Sequence, residues 1–324
     1  MNGGRILLLA VLLGFLSCGE QKEVNPPIES ASFALRIDSL SGDTVKLNLV
    51  NYVGKGALLL TRFSSYEELK AVVQIEYSDS KVKLTHASGG KVVESILKKG
   101  VSQVDFFRAQ DSGFWAKVDL VFASPYAVSK RKDLQRAYAL SRRRPPTFGE
   151  GDVAFFDFAE TMTAHIRAYD RAGLEPKDLS NKGLINTFNH VVAQAFLTSI
   201  YSEKMADFIA DAHERYNMPE LISGEFTAEQ IADIENGVVD NYVDMINNEW
   251  GQELGKRLKQ KYGIKRSTHW TPELLASYLN DMQRYFSRAF GIGFEPYEAH
   301  DAVVVRFTSK LNHILDEVPI VGGY

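Results

Sequence analysis

Residues 184–200 read LINTFNHVVAQAFLTSI. Apolar side chains occupy almost every side of a helix drawn on this stretch, which predicts the buried central helix of the C-terminal half. Asn186, His190 and Gln194 nevertheless recur at i, i+4 and i+8. Each step of four advances about 40° around a helix, so the three form one polar stripe. A buried polar group without a partner costs about 1–3 kcal/mol. Something must therefore face the stripe: other side chains, water, a metal or a substrate.

The same period extends outward from Val153. A helix over 156–172 would bury Phe158, Met162, Ile166 and Tyr169, with His165 beside them. A helix over 203–216, capped by Ser202, has the stripe Met205, Phe208, Ile209, Ala212 and Tyr216. It also carries Asp211, His213 and Glu214, written DAHE. On a wheel His213 falls about 80° from Met205 and Glu214 about 180°, so His213 is expected inward. Glu214 reaches the same place only if this helix is frayed or buried on both faces. The continuation H-E-R-Y-N excludes the H-E-x-x-H of zinc peptidases. Thr227 and Gln230 form a capping box, with Phe226 and Ile231 as a hydrophobic staple. Over 238–262 one face carries Asp240, Asp244, Asn247 and Gly251, bordered by Asn248 and free of Lys or Arg. Glycine inside a helix costs about 1 kcal/mol relative to alanine, so Gly251 implies a close approach. Thr271-Pro272 opens a further helix that Gly291 ends, and 297–315 is expected to be helical.

The N-terminal half alternates with period two. Phe33, Leu35 and Ile37 are followed by Val45, Leu47 and Leu49, and then by candidate strands at 57–61, 72–77, 81–85, 91–96, 101–107 and 115–122. Only 66–71 reads as helix, and His86 falls in an expected loop. These short strands predict an antiparallel β-sandwich over 31–124, immunoglobulin-like in architecture alone because the Cys…Trp…Cys signature is missing. Residues 125–151 form a basic linker with Lys130, Arg131, Lys132, Arg136 and Arg142-Arg143-Arg144, ended by Pro145-Pro146. Such a run is most often a solvated face or an interdomain contact, and near a membrane it could meet anionic headgroups. The expected fold class is α+β with two domains, the sandwich followed by an all-α bundle over 152–324.

The net charge of -4 over 324 residues gives no basic signature for nucleic acid. The single cysteine, Cys18, excludes an internal disulfide and a cysteine-based zinc site. Residues 1–17 have Arg5, an apolar run from Ile6 to Phe15 and a small residue, Ser17, which is the pattern of a signal peptide and too short for a span. A cysteine directly after such a run resembles the lipobox of bacterial lipoproteins, with Phe15 where Leu is usual. The resemblance implies cleavage before Cys18 and its acylation, so that lipid attaches the chain to a membrane. Gly19, in place of the aspartate that retains lipoproteins in the inner membrane, implies the outer membrane, with the protein periplasmic or surface-exposed. Residues 18–30, with Pro26-Pro27, would be a tether.

Three segments belong together: Asn186-x-x-x-His190, Asp211-Ala212-His213-Glu214, and Asp244-x-x-Asn247-Asn248-x-x-Gly251. They resemble an uncharacterised bacterial helical domain with the pattern N-x-F-R-H, D-A-H-E and D-x-x-N-N-x-x-G. Asn189 stands where that pattern has Arg. The resemblance implies a shared fold and a shared polar centre, and it carries no activity. Two histidines and several carboxylates on facing helices are what a bundle uses to hold a divalent metal or to run acid–base chemistry. One expectation is thus a metal-assisted or His/Asp hydrolase of an envelope component. In it His190, His213 and Asp244 are ligands or catalytic groups, and Asn186, Asn247, Asn248, Glu214 and Asp211 hold the substrate. The other is a non-catalytic binding or scaffold lipoprotein with a structural polar network.

Overall fold

Apolar residues on every side of the central helix leave it no wet face, and the fold surrounds it. The computed structural model describes residues 58–59, 63–88, 90–105, 120 and 123–316. They belong to a compact unit that begins at Val45. Cys18, the leader, the tether and the strands expected before residue 57 lie outside the described residues, as does most of 106–122.

A short helix, α1 (Tyr66–Lys70), is followed by β1 (Gln74–Ser78), β2 (Lys81–Ser88) and β3 (Lys91–Lys98). The helices then run α2 (Pro125–Ser129), α3 (Arg131–Ser141), α4 (Phe155–Ala164), α5 (Leu184–Ile200), α6 (Glu203–Asn217), α7 (Ala228–Ala232), α8 (Val238–Tyr262), α9 (Pro272–Phe290) and α10 (Ala302–Leu315). Local chemistry sets many of the ends. Ser202, Thr227 and Thr271 each accept a backbone N–H in the first turn of the helix they precede, and Thr227 and Gln230 form the expected capping box. Gly263 and Gly291 stop α8 and α9 in the left-handed conformation, with φ of 61° and 66°.

The expected β-sandwich is not the fold. Among the described residues there is one antiparallel meander of three strands, ordered β1-β2-β3. The segment from Val101 turns helical at 103–105 instead of continuing as strand. The three strands do not stand apart from the helices. Val82, Leu84, Val93 and Leu97 share one continuous core with Val243, Ile246 and Trp250 of α8, so among the described residues the sheet packs against a helix. His86, expected in a loop, sits buried on β2, where its Nδ1 accepts from Trp250 Nε1 at 3.2 Å.

The helix expected over 156–172 is also shorter. It ends at Ala164, and the chain then extends to pair with residues 293–295: Arg167 N donates to Gly293 O at 3.0 Å, and Glu295 N donates to His165 O at 2.7 Å. Tyr169, expected in the core, is consequently 89% exposed.

The central pairing is α5 against α8. Lys182, just before α5, reaches Asp240 at 3.5 Å; Asn186 reaches Asp244 at 2.9 Å; His190 reaches Asn248 at 3.0 Å; Gln194 reaches Gln252 at 3.2 Å. Each partner lies 58 residues further along the chain. A constant offset means that the two helices run parallel and side by side. Gly251 and Gly255 explain how close they come. A Cβ on Gly255 would stand 2.6 Å from Ala195 O, and one on Gly251 would stand 3.0 Å from Val191 Cα. What approaches Gly251 is therefore the α5 backbone.

Helix propensity alone predicts that Gly255→Ala stabilises the protein by about 1 kcal/mol. Because the added methyl meets main chain, which cannot swing aside, the opposite sign is expected: a loss of about 1–3 kcal/mol in urea unfolding. A midpoint at or above the wild type would show that the helices have room to spare.

Candidate functional site

The polar seam between α5 and α8 gathers six of the residues singled out in the sequence: Asn186, His190, Gln194, Asp240, Asp244 and Asn248. Asp244 accepts from Asn186 Nδ2 through Oδ1, and its Oδ2 lies 3.2 Å from His190 Nε2. The other ring nitrogen of His190, Nδ1, lies 3.0 Å from Asn248 Oδ1. Burial by itself would depress this imidazole. The Asp244 carboxylate outweighs it, with help from Asn248, and the pKa rises to about 9. At neutral pH the ring is a cation that donates from both nitrogens.

Glu214 and His213 exchange the places expected of them. Glu214 is 2% exposed, and His213 is exposed. The wheel assumed one buried face, but α6 has two. Phe208, Ile209 and Ala212 line a cavity, and the opposite face, which carries Glu214, is covered as well. Neither carboxyl oxygen of Glu214 has a hydrogen-bond partner. Burial, and next the nearby Asp244 charge, push its pKa up to about 8, so it is held as the neutral acid. His213 instead bonds Gln103 Oε1 through Nδ1 at 3.1 Å and Asn217 Nδ2 through Nε2 at 3.0 Å.

Two further residues serve the fold. Asn247 accepts from Leu59 N and donates to Leu59 O, both at 2.8 Å, while Thr187 Oγ1 donates to the same carbonyl at 3.2 Å. Asn247 is fully buried, so its amide is occupied by main chain. Asp211 accepts from Arg215 Nη2 at 2.6 Å, and burial, then neighbouring Asp207, lift its pKa to about 7. The metal reading is not carried by this arrangement: among the described residues no three His, Cys, Asp or Glu side chains are grouped to hold an ion. His190 and Asp244 meet, and His213 stands apart from them with partners of its own.

Beside the seam lies a cavity of about 450 Å³ between α3, α5 and α6. His190, Asn248, Asn189 and Gln194 open onto it from one side, and His213, Gln103 and Arg142 from the other. Its apolar wall includes Phe155, Leu197, Phe208 and Ile209. Arg142 was grouped in the sequence with a solvated basic run. Its backbone is fixed by Lys310, a buried lysine whose Nζ donates to Arg142 O at 2.7 Å, Asp152 Oδ2 at 2.8 Å and Val153 O at 2.8 Å. Lys182 and Gln252 were missed too, although a shared spacing of four, 182-186-190-194 and 240-244-248-252, could have revealed the ladder.

Comparison with family models, with curated proteins and with solved structures finds no match to this chain. The functional reading therefore rests on the geometry of the seam and the cavity.

The buried acid and the buried cation act on stability in the same direction. His190 has a folded pKa above its ordinary 6.5, so its contribution is full below that value and is lost as pH rises through about 9. Glu214 is favoured as the neutral acid, so the fold weakens as pH climbs from the ordinary glutamate range of 4.5 through about 8. Glu214→Gln should leave the melting temperature almost unchanged at pH 5 and raise it by about 2–6 °C at pH 9. Parallel pH profiles for the two proteins would mean that Glu214 is ionised in the fold at neutral pH.

Proposed function

We propose that the chain is an envelope-anchored lipoprotein whose helical part binds a small molecule in the cavity beside the α5–α8 seam and does not hydrolyse it. The observation that carries this reading is the engagement of His190. The ring opens onto the cavity, yet Asp244 and Asn248 occupy both of its nitrogens. A general base or metal ligand needs a nitrogen lone pair, and a doubly donating imidazolium has none. The volume falls within the roughly 300–1,000 Å³ of small-molecule pockets. The anchor rests on the sequence of residues 1–18 and its resemblance to a lipobox. Among the described residues no helix is long and apolar enough to cross a membrane.

Hydrolysis remains the second reading because the His190–Asp244 pair borders the cavity. The two are separated with p-nitrophenyl octanoate and Nile red, a neutral dye that brightens in apolar sites. Wild type and His190→Ala, both checked for folding by circular dichroism, should release nitrophenol at the same rate. Nile red should brighten with wild type and lose most of that signal with Ala193→Trp, which fills the cavity. A wild-type rate about tenfold or more above His190→Ala corresponds to roughly 1.4 kcal/mol of transition-state stabilisation and would establish the hydrolase.

A further inference from the structure

The cavity is electrically one-sided. Among the described residues that line it are two cationic side chains, Arg142 and His190, one imidazole, His213, whose pKa burial holds down at about 4 so that it is neutral, and no aspartate or glutamate. The chain as a whole has 41 acidic residues against 37 Lys and Arg. The acids nearest the site are turned elsewhere: Asp244 stands behind His190 in the seam, Asp211 pairs with Arg215, and Glu214 is buried on the far face of α6. The basic groups and Gln103 are matched by an apolar wall of Leu134, Ala137, Phe155, Leu197, Phe208 and Ile209. The two kinds of lining require a ligand with two kinds of surface.

We propose that the cavity takes an aliphatic carboxylate, its head at Arg142 and His213 and its acyl chain along Leu197, Phe208 and Ile209. This rests on the binding reading above and adds the ligand class to it. The Arg142 guanidinium is the natural partner of a carboxylate because its N–H fork matches two oxygens. Its side chain lies over the Tyr138 ring, 4.7 Å from the centroid, which orients it. The Lys310 contacts fix the backbone from which it springs. His213 can donate its Nδ1–H to the head by giving up Gln103, and Asn189 supplies an amide on the α5 side. The His190 cation, held by Asp244, lines the same cavity and makes it unfavourable for a second cation.

Calorimetric titration of the full-length chain carrying Cys18→Ser, which blocks acylation, tests this with octanoate and with octanol, a neutral probe of the same chain length. Octanoate should bind at least about tenfold more tightly than octanol. Arg142→Gln combined with His213→Gln should abolish that preference, bringing octanoate to within about threefold of octanol measured on the same variant. Ala193→Trp should abolish both. If octanoate and octanol bind alike, or if the double variant keeps the preference, the carboxylate assignment falls and the cavity remains a binding site for neutral molecules. If neither probe binds, or both still bind to Ala193→Trp, the binding reading falls with it.

Discussion

The close parallel contact of α5 with α8 is the constraint on which the rest of the molecule depends. Gly251 and Gly255 remove the side chains that would hold the two backbones apart. At that separation water is excluded from between the helices, so every polar group facing the contact must find its partner in the protein. The side chains at four-residue intervals on α8 meet those at the same intervals on α5 and before it, one for one. Parallel neighbours also need a return path. α6 occupies that path in the sequence and touches both partners, so it is the element that carries the DAHE segment to the site.

The seam and the cavity have opposite electrical characters. The seam carries the Asp240 and Asp244 carboxyl groups, and burial drives Glu214 on the neighbouring α6 to the neutral form. Among its described lining the cavity has none. His190 lies on the boundary and belongs to both, its charge balanced from the seam side by Asp244. The arrangement gives the ring a fixed position, with Asp244 and Asn248 each taking one of its nitrogens.

Much of the helical part was legible because helices announce themselves locally. The stretch 184–200 was bounded correctly by its apolar continuity, and the caps at Ser202, Thr227 and Thr271 act as their residue types suggest. The strands around Gln74, Lys81 and Lys91 were legible for the same reason. Their assembly was not, because period-two alternation marks a covered face without saying whether a sheet or a helix covers it. Here Trp250 and its neighbours on α8 do. The helix after Phe155 was overextended because nothing local reports that residues 293–295 will take up its continuation. At the site, the polar residues of α5 and α8 were recognisable as needing partners. Which partner each takes depends on an offset of 58 residues, and the inversion of His213 and Glu214 depends on α6 having two covered faces.

Asn247 holds Leu59 by its peptide group and not by its side chain. All residues but proline offer the same N–H and C=O, so this grip is indifferent to the identity of position 59. Only the surrounding volume selects there, and a run of chain-altering substitutions could pass through that position without loosening it. The bundle has thus acquired a purely geometric handle on the polypeptide that leads into it, one that reads the path of the backbone and ignores the letters written along it.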